Sequence, residues 1–320
     1  MIRSNFSSAQ TKIKKLVKRV ALSAISIFAV VVMPLSTQAA STVVYDATPN
    51  PVPPNMASLG FQATQTSEFG DYVHLAGTNR KLDSVTVTMS NWALQATPAN
   101  VTFCLANPLS CSADGFKHPI TLNIYNVVPG SPLNTKGSLV ATVTKVVDIP
   151  WRPVADPSCG TAWKASDNNC YNGFAFNATF DMSSLNTTLP NDVIVGVAYN
   201  TQSYGTAPIG VDGPYNSLNV GVVGTPVVGS DGDSDRVFWN TITAGWYTDG
   251  GVGGVGIFRE DNNWTPYGTT PIKITASSVM PASKDECKKD GWKSFGTTFK
   301  NQGDCVSFVA TQGRNQPSGN

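Results

Sequence analysis

The chain is short of the residues on which most catalysis and metal binding depend. Of its 320 residues only three are glutamate (Glu68, Glu260, Glu286) and two are histidine (His74, His118). No Cys-x-x-Cys pair occurs among the six cysteines, so a zinc site lacks its ligand spacing. A Ser-His-Asp arrangement would have to use His74 or His118, and no Gly-x-Ser-x-Gly elbow surrounds any serine. His74, in Asp71-Tyr72-Val73-His74-Leu75, reads as a half-buried strand residue, and His118, before Pro119, as structural. Two facing carboxylates for a glycosidase could come from Glu68 or Glu260 with an aspartate, but nothing in the spacing sets them opposite one another. Beyond residue 40 no apolar run approaches the roughly 20 residues of a membrane span, and Gln-Pro-Ser-Gly-Asn closes the chain without a hydrophobic tail.

What is present begins with an export signal. Lys12, Lys14, Lys15, Lys18 and Arg19 precede an apolar run from Val20 to Met33, and Thr37 and Ala39 are the small residues a signal peptidase reads. Residues 1–39 are expected to be a signal peptide and the product to be secreted, extracellular or at the cell surface. Residues 1–40 hold six of the 22 Lys/Arg and no acid, which leaves 16 basic against 21 acidic residues, a formal −5. That balance repels phosphate backbones, and no basic stripe interleaved with aromatics offsets it; nucleic acid is not an expected partner.

Scarce glutamate with abundant Val, Thr, Gly, Asn and Pro disfavours helices and favours strands and turns. Leu82–Met89 alternates apolar and polar residues, as a strand with one buried face does. Comparable runs recur at Val43–Tyr45, Leu59–Ala63, Ile120–Val127, Leu139–Ile149, Phe174–Phe180, Val193–Tyr199, Leu218–Val223, Arg236–Trp239, Val255–Phe258 and Ile272–Thr275. The expectation is an all-β fold, a two-sheet sandwich of jelly-roll type; irregular strand intervals make an up-and-down barrel the weaker alternative. Residues 40–58, with Asn50-Pro51-Val52-Pro53-Pro54, read as an extended lead-in and 59–280 as the sandwich. After Met280-Pro281 the charge density rises, and Ser283-Lys284-Asp285-Glu286 forms a capping-box pattern. Residues 282–320 are therefore expected to be a small disulfide-closed module.

Six cysteines in an exported chain argue for disulfides, and nearest-neighbour pairing gives Cys104/Cys111, Cys159/Cys170 and Cys287/Cys305. The turn Ser230-Asp231-Gly232-Asp233-Ser234-Asp235 could direct the carboxylates of Asp231, Asp233 and Asp235 at one calcium ion. An EF-hand fails because Ile242 stands at position 12, and a solvated acidic turn is the plainer reading. No other cofactor is expected. Gly251-Val252-Gly253-Gly254-Val255-Gly256 matches a dinucleotide fingerprint in letters only, since no helix pattern follows it.

Aromatic residues are the remaining signal. Trp92, Trp151, Trp163, Trp239, Trp246, Tyr247, Trp264 and Tyr267 are numerous, and several lie in Gly/Asn/Thr-rich stretches. Trp163, Trp246, Tyr247, Trp264 and Tyr267 are the candidate ligand-binding residues, because sugar-binding sandwiches stack pyranose rings on such faces. Satellite clusters packed beneath long loops are an equally good account of them.

Asn219-Val220-Gly221, the Tyr-Thr-Asp-Gly-Gly of 247–251 and the Thr-Pro-Tyr of 265–267 resemble a group of uncharacterised exported bacterial β-proteins. The stretch from Cys287 through Trp292 to Asn301-Gln302-Gly303-Asp304-Cys305-Val306 is similar to a short Cys-x4-Trp…Asn-Gln-Gly-x-Cys-Val tail of such proteins. The resemblance implies a cell-surface or released location and no particular activity. The functional expectation is a non-catalytic binding or structural protein, with polysaccharide or cell-envelope components as partners. The alternative is a carbohydrate-active enzyme, a glycoside hydrolase or lyase on a jelly-roll scaffold.

Overall fold

The structure, a computed structural model, describes residues 41–281 and 283–319. The expected signal peptide, residues 1–39, lies outside the described residues. Fifteen strands follow in chain order: β1 (Thr42–Asp46), β2 (Ser58–Gly60), β3 (Thr66–His74), β4 (Lys81–Asn91), β5 (Gly115–Val128), β6 (Thr135–Pro150), β7 (Trp163–Lys164), β8 (Cys170–Tyr171), β9 (Phe174–Asp181), β10 (Asp192–Ala198), β11 (Leu218–Gly221), β12 (Ser230–Asp231), β13 (Val237–Thr241), β14 (Arg259–Asp261) and β15 (Ile272–Ser277). The helices are few and short: α1 (Pro98–Ala106), α2 (Lys284–Cys287) and α3 (Gln302–Ala310). The protein is all-β, with antiparallel sheets in a sandwich-like arrangement.

Two sheets carry nearly all the strands. One runs β1-β15-β4-β11-β2, with β9 along the other edge of β4; the second runs β14-β13-β3-β10-β5-β6, with β12 continuing the β13 side of β3. Every pairing is antiparallel, including the short β7/β8 hairpin. The alternation in β4 buries Val85, Val87 and Met89, and that in β10 buries Val193, Val195 and Val197; these belong to one hydrophobic core. Each such side chain removed from water contributes about 1.5–3 kcal/mol. Ile194 points to the opposite face of β10 and packs with Tyr125, Phe238 and Phe258 in a separate small cluster. Gly70 and Gly196 face each other across β3 and β10; a Cβ on Gly70 would come within 1.8 Å of the Val195 carbonyl oxygen. The expected lead-in supplies β1, in which Tyr45 is fully buried.

Three disulfides join Cys104–Cys111, Cys159–Cys170 and Cys287–Cys305, with Cα separations of 5.5, 5.6 and 5.7 Å. Cys104 sits on α1, a helix absent from the sequence reading. Near the C-terminus, the capping-box pattern does start a helix: Ser283 Oγ accepts from the Glu286 backbone N–H of α2. Cys287, Phe299 and Cys305 form a separate buried cluster, against which Met280, Trp292 and Phe295 pack. Among the described residues, no helix is long and apolar enough to cross a membrane.

Candidate functional site

The three-residue strand β2 ends its sheet, and an open cleft of about 590 Å³ forms beside it. Leu59, Ala63 and Val222 make its apolar surface, while Ser58, Asn216 and Asn219 supply polar groups. Trp92, Trp264 and Tyr267 complete the lining. Trp92 follows directly on β4 and is 44% exposed; Tyr267 is 47% exposed. Such exposure of large rings is costly in water and leaves their faces available to a ligand.

The aromatic residues are held by their surroundings. Trp92 Nε1 donates to Ser90 Oγ at 3.2 Å, and Ser90 Oγ donates to Asn55 Oδ1 at 2.7 Å. Trp264 is half-buried: its ring packs on Trp239 and Phe69 at centroid distances of 5.2 and 5.5 Å, and its Nε1 donates to Asp261 Oδ2. The turn carrying Tyr267 is tied to the Asp-rich loop, because Thr265 donates through both its backbone N–H and its hydroxyl to Asp235 Oδ1. On the opposite side Asn219 Nδ2 donates to Ser58 Oγ, fixing one amide across the β2/β11 pair. Rigid aromatic faces beside fixed amides can hold a flat, partly apolar, hydroxyl-rich molecule without any reacting group.

Of the five aromatic candidates, the structure brings Trp264 and Tyr267 together and adds Trp92. Trp163 and Tyr247 lie elsewhere, each buried among its own partners. Trp163 is buried against Tyr171 and Phe174 and donates from Nε1 to the Gly173 carbonyl. Tyr247 is buried, its hydroxyl accepts from Thr241 N–H, and the Arg259 guanidinium lies 3.7 Å from its ring centroid. Trp246 is exposed but lies outside the cleft. Trp92 carries no local sequence signal beyond its position at the end of a periodic strand.

In the Asp-rich turn read as a calcium candidate, the carboxylates of Asp231, Asp233 and Asp235 each turn to a different partner. Asp231 accepts from Thr269 Oγ1, Asp233 pairs with Arg236 at 2.9 Å, and Asp235 is taken up by Thr265. Among the described residues no three His, Cys, Asp or Glu side chains are grouped to hold a metal.

Glu68 and Glu260 lie buried in the second sheet, away from the cleft. Glu68 Oε1 accepts from Asn123 and Tyr125, and burial pushes its carboxyl pKa up. Glu260 accepts from Asn134 through both oxygens and from Arg236. His118 is buried, with Nε2 2.8 Å from the Asn200 carbonyl, as a structural histidine should be. His74 differs from expectation: it ends β3, is exposed and sits 2.9 Å from Asp192. The glycines of 250–256 bend a loop that leads into β14 rather than a helix, several of them at positive φ.

The chain matches no family model, no curated protein and no solved structure.

Proposed function

We propose that this is an exported, non-catalytic binding protein that holds a saccharide against Trp92, Trp264 and Tyr267. The observation that carries the reading is the pair of exposed rings, Trp92 and Tyr267, in one cleft with fixed amide groups. Stacking on an aromatic face contributes about 0.5–1.5 kcal/mol beyond the area buried, and the amides select for hydroxyls. Export is supported by the basic and apolar residues of the N-terminal segment and by three disulfides, which persist in oxidising compartments. The scaffold is proposed to be of jelly-roll type, and cell-envelope polysaccharide is the proposed partner class.

The test is retention of the purified protein on a panel of insoluble polysaccharides, followed by titration with soluble oligosaccharides. Trp92→Ala and Tyr267→Ala are each expected to weaken binding about 5- to 30-fold, in line with loss of one stacking face and its buried area. Trp246→Ala should leave binding unchanged. Retention indifferent to both cleft substitutions would overturn the reading, and release of reducing sugar would transfer the protein to the carbohydrate-active enzymes.

A further inference from the structure

A second polar site lies inside the sandwich. Asp71 on β3 and Asp231 on β12 belong to one sheet, yet both carboxylates bond to the Thr269-Thr270 segment that leads into β15 of the other. Asp71 is 1% exposed; Oδ1 accepts from Tyr72 N–H at 2.8 Å and Oδ2 from Thr270 N–H at 2.9 Å. Asp231 Oδ1 accepts from Asp233 N–H and Oδ2 from Thr269 Oγ1. Burial pushes the Asp71 carboxyl pKa well up, and the charge of nearby Asp231 raises it further.

Two hydroxyls at this place have no partner. Thr270 Oγ1, on the residue whose N–H binds Asp71, is buried without a hydrogen bond. So is Tyr45 Oη on β1, which pairs with β15; the Tyr45 ring packs beside Gly229, two residues before Asp231. An unpaired buried hydroxyl destabilises the fold, and a buried carboxylate beside a second, half-buried one does so more. Both deficits fall on residues next to the Asp71 and Asp231 carboxylates, and a single oxygen-seeking ion among these groups would remove them together.

We propose that Asp71, Asp231, Tyr45 and Thr270 form a buried site for one hard divalent cation, with calcium as the ion the donors suit. All four side chains offer oxygen, two carboxylates balance a double positive charge, and backbone carbonyls of the surrounding loops can fill out a coordination number of six to eight. Tyr45 and Thr270 serve as neutral ligands, so the ion bridges the two sheets. This site shares only Asp231 with the acidic turn, and it is independent of the saccharide cleft.

Thermal unfolding of the calcium-free, disulfide-intact protein, with calcium then added, tests it. Saturating calcium should raise the melting temperature by about 3 °C or more, because an ion bound only by the folded state stabilises it. Asp71→Asn should abolish that rise, whereas Asp233→Asn and Asp235→Asn should keep it. Where Asp71→Asn fails to fold, Tyr45→Phe and Thr270→Val serve instead, and each should weaken calcium binding about tenfold in titration calorimetry. A melting temperature indifferent to calcium, or a rise that survives Tyr45→Phe with Thr270→Val but is lost in Asp233→Asn, would overturn the proposal.

Discussion

Acidification should destabilise the fold through one side chain, His118. It lies on β5 with its ring stacked on Tyr215 at 4.9 Å and edge-on to Tyr199 at 6.0 Å, and its Nε2–H donates to the Asn200 carbonyl. Burial disfavours the imidazolium and depresses the pKa from 6.5 to about 4, with the Asn200 bond acting in the opposite direction. A folded-state pKa below the unfolded one means that the unfolded chain binds the proton first. Stability is therefore complete above pH 6.5 and is lost as pH falls towards 4. The loss reaches about 2 kcal/mol at pH 5 and about 3 kcal/mol below pH 4. Burial raises the pKa values of Glu68, Asp71, Asp261 and the half-buried Asp231, which act with the opposite sign, so the wild-type curve alone is not diagnostic. Urea unfolding of wild type and His118→Gln at intervals from pH 7.5 to 4.5 separates them. The variant should be less stable at pH 7, and the gap should close by about 2 kcal/mol at pH 5. A gap constant across that range would show that His118 takes up its proton as readily in the folded as in the unfolded protein and refute the reasoning.

The other expectations are shorter. Non-reducing peptide mapping should recover only the 104/111, 159/170 and 287/305 crosslinks, and a crosslink between couples would contradict the structure. Replacing Cys159 and Cys170 by serine should lower stability by about 3 kcal/mol, the loop-closure value for a ring of this length, as read from urea unfolding. Gly70→Ala should abolish cooperative unfolding in circular dichroism, because its Cβ would meet the Val195 carbonyl at 1.8 Å on a paired strand. Deleting residues 282–320 should leave the β-sheet spectrum and cooperative melting of the remainder intact, since Cys287, Phe299 and Cys305 form their own cluster; failure to fold would make that segment part of the main core.

Strands whose buried faces are apolar were legible from alternation alone. Leu82–Met89 lies on β4, and all of Val193–Tyr199 but its last residue lies on β10, because valines two residues apart bury one face. The full span of β3 was not legible: Glu68 and Asp71 take buried positions, so hydropathy breaks where the strand is most enclosed. β14 inverts the rule outright. The apolar run expected as a strand, Val255–Phe258, leaves Val255 and Ile257 exposed, while Arg259, Glu260 and Asp261 form the buried strand behind it. Helix α1 escaped notice because Pro98–Ala106 contains no charged residue and no caps beyond Pro98. Its tertiary anchors are the Cys104–Cys111 bridge and the edge-on contact of Phe103 with Tyr215.

The buried charges that hid these strands share a physical pattern. Arg259 is neutralised by two bonds to Asp249, at 2.6 and 2.9 Å. Glu260 takes both of its Asn134 bonds from across the sheet, and Asp261 accepts from Thr248 N–H and Trp264 Nε1. Each partner lies in a loop, so the strand's polar side chains fix loop positions that apolar contacts, which have no direction, would leave loose. The Asp261–Trp264 bond links this pattern to the cleft. It sets the half-buried indole that backs the cleft, while Asp235 anchors Thr265 of the same turn. The chain thus places several of its acidic side chains beneath the loops that carry its aromatic residues. The cleft was only partly legible for the same reason: Trp264 and Tyr267 stand close together in sequence, whereas Trp92 joins them through the edge of the sheet formed by β4, β11 and β2.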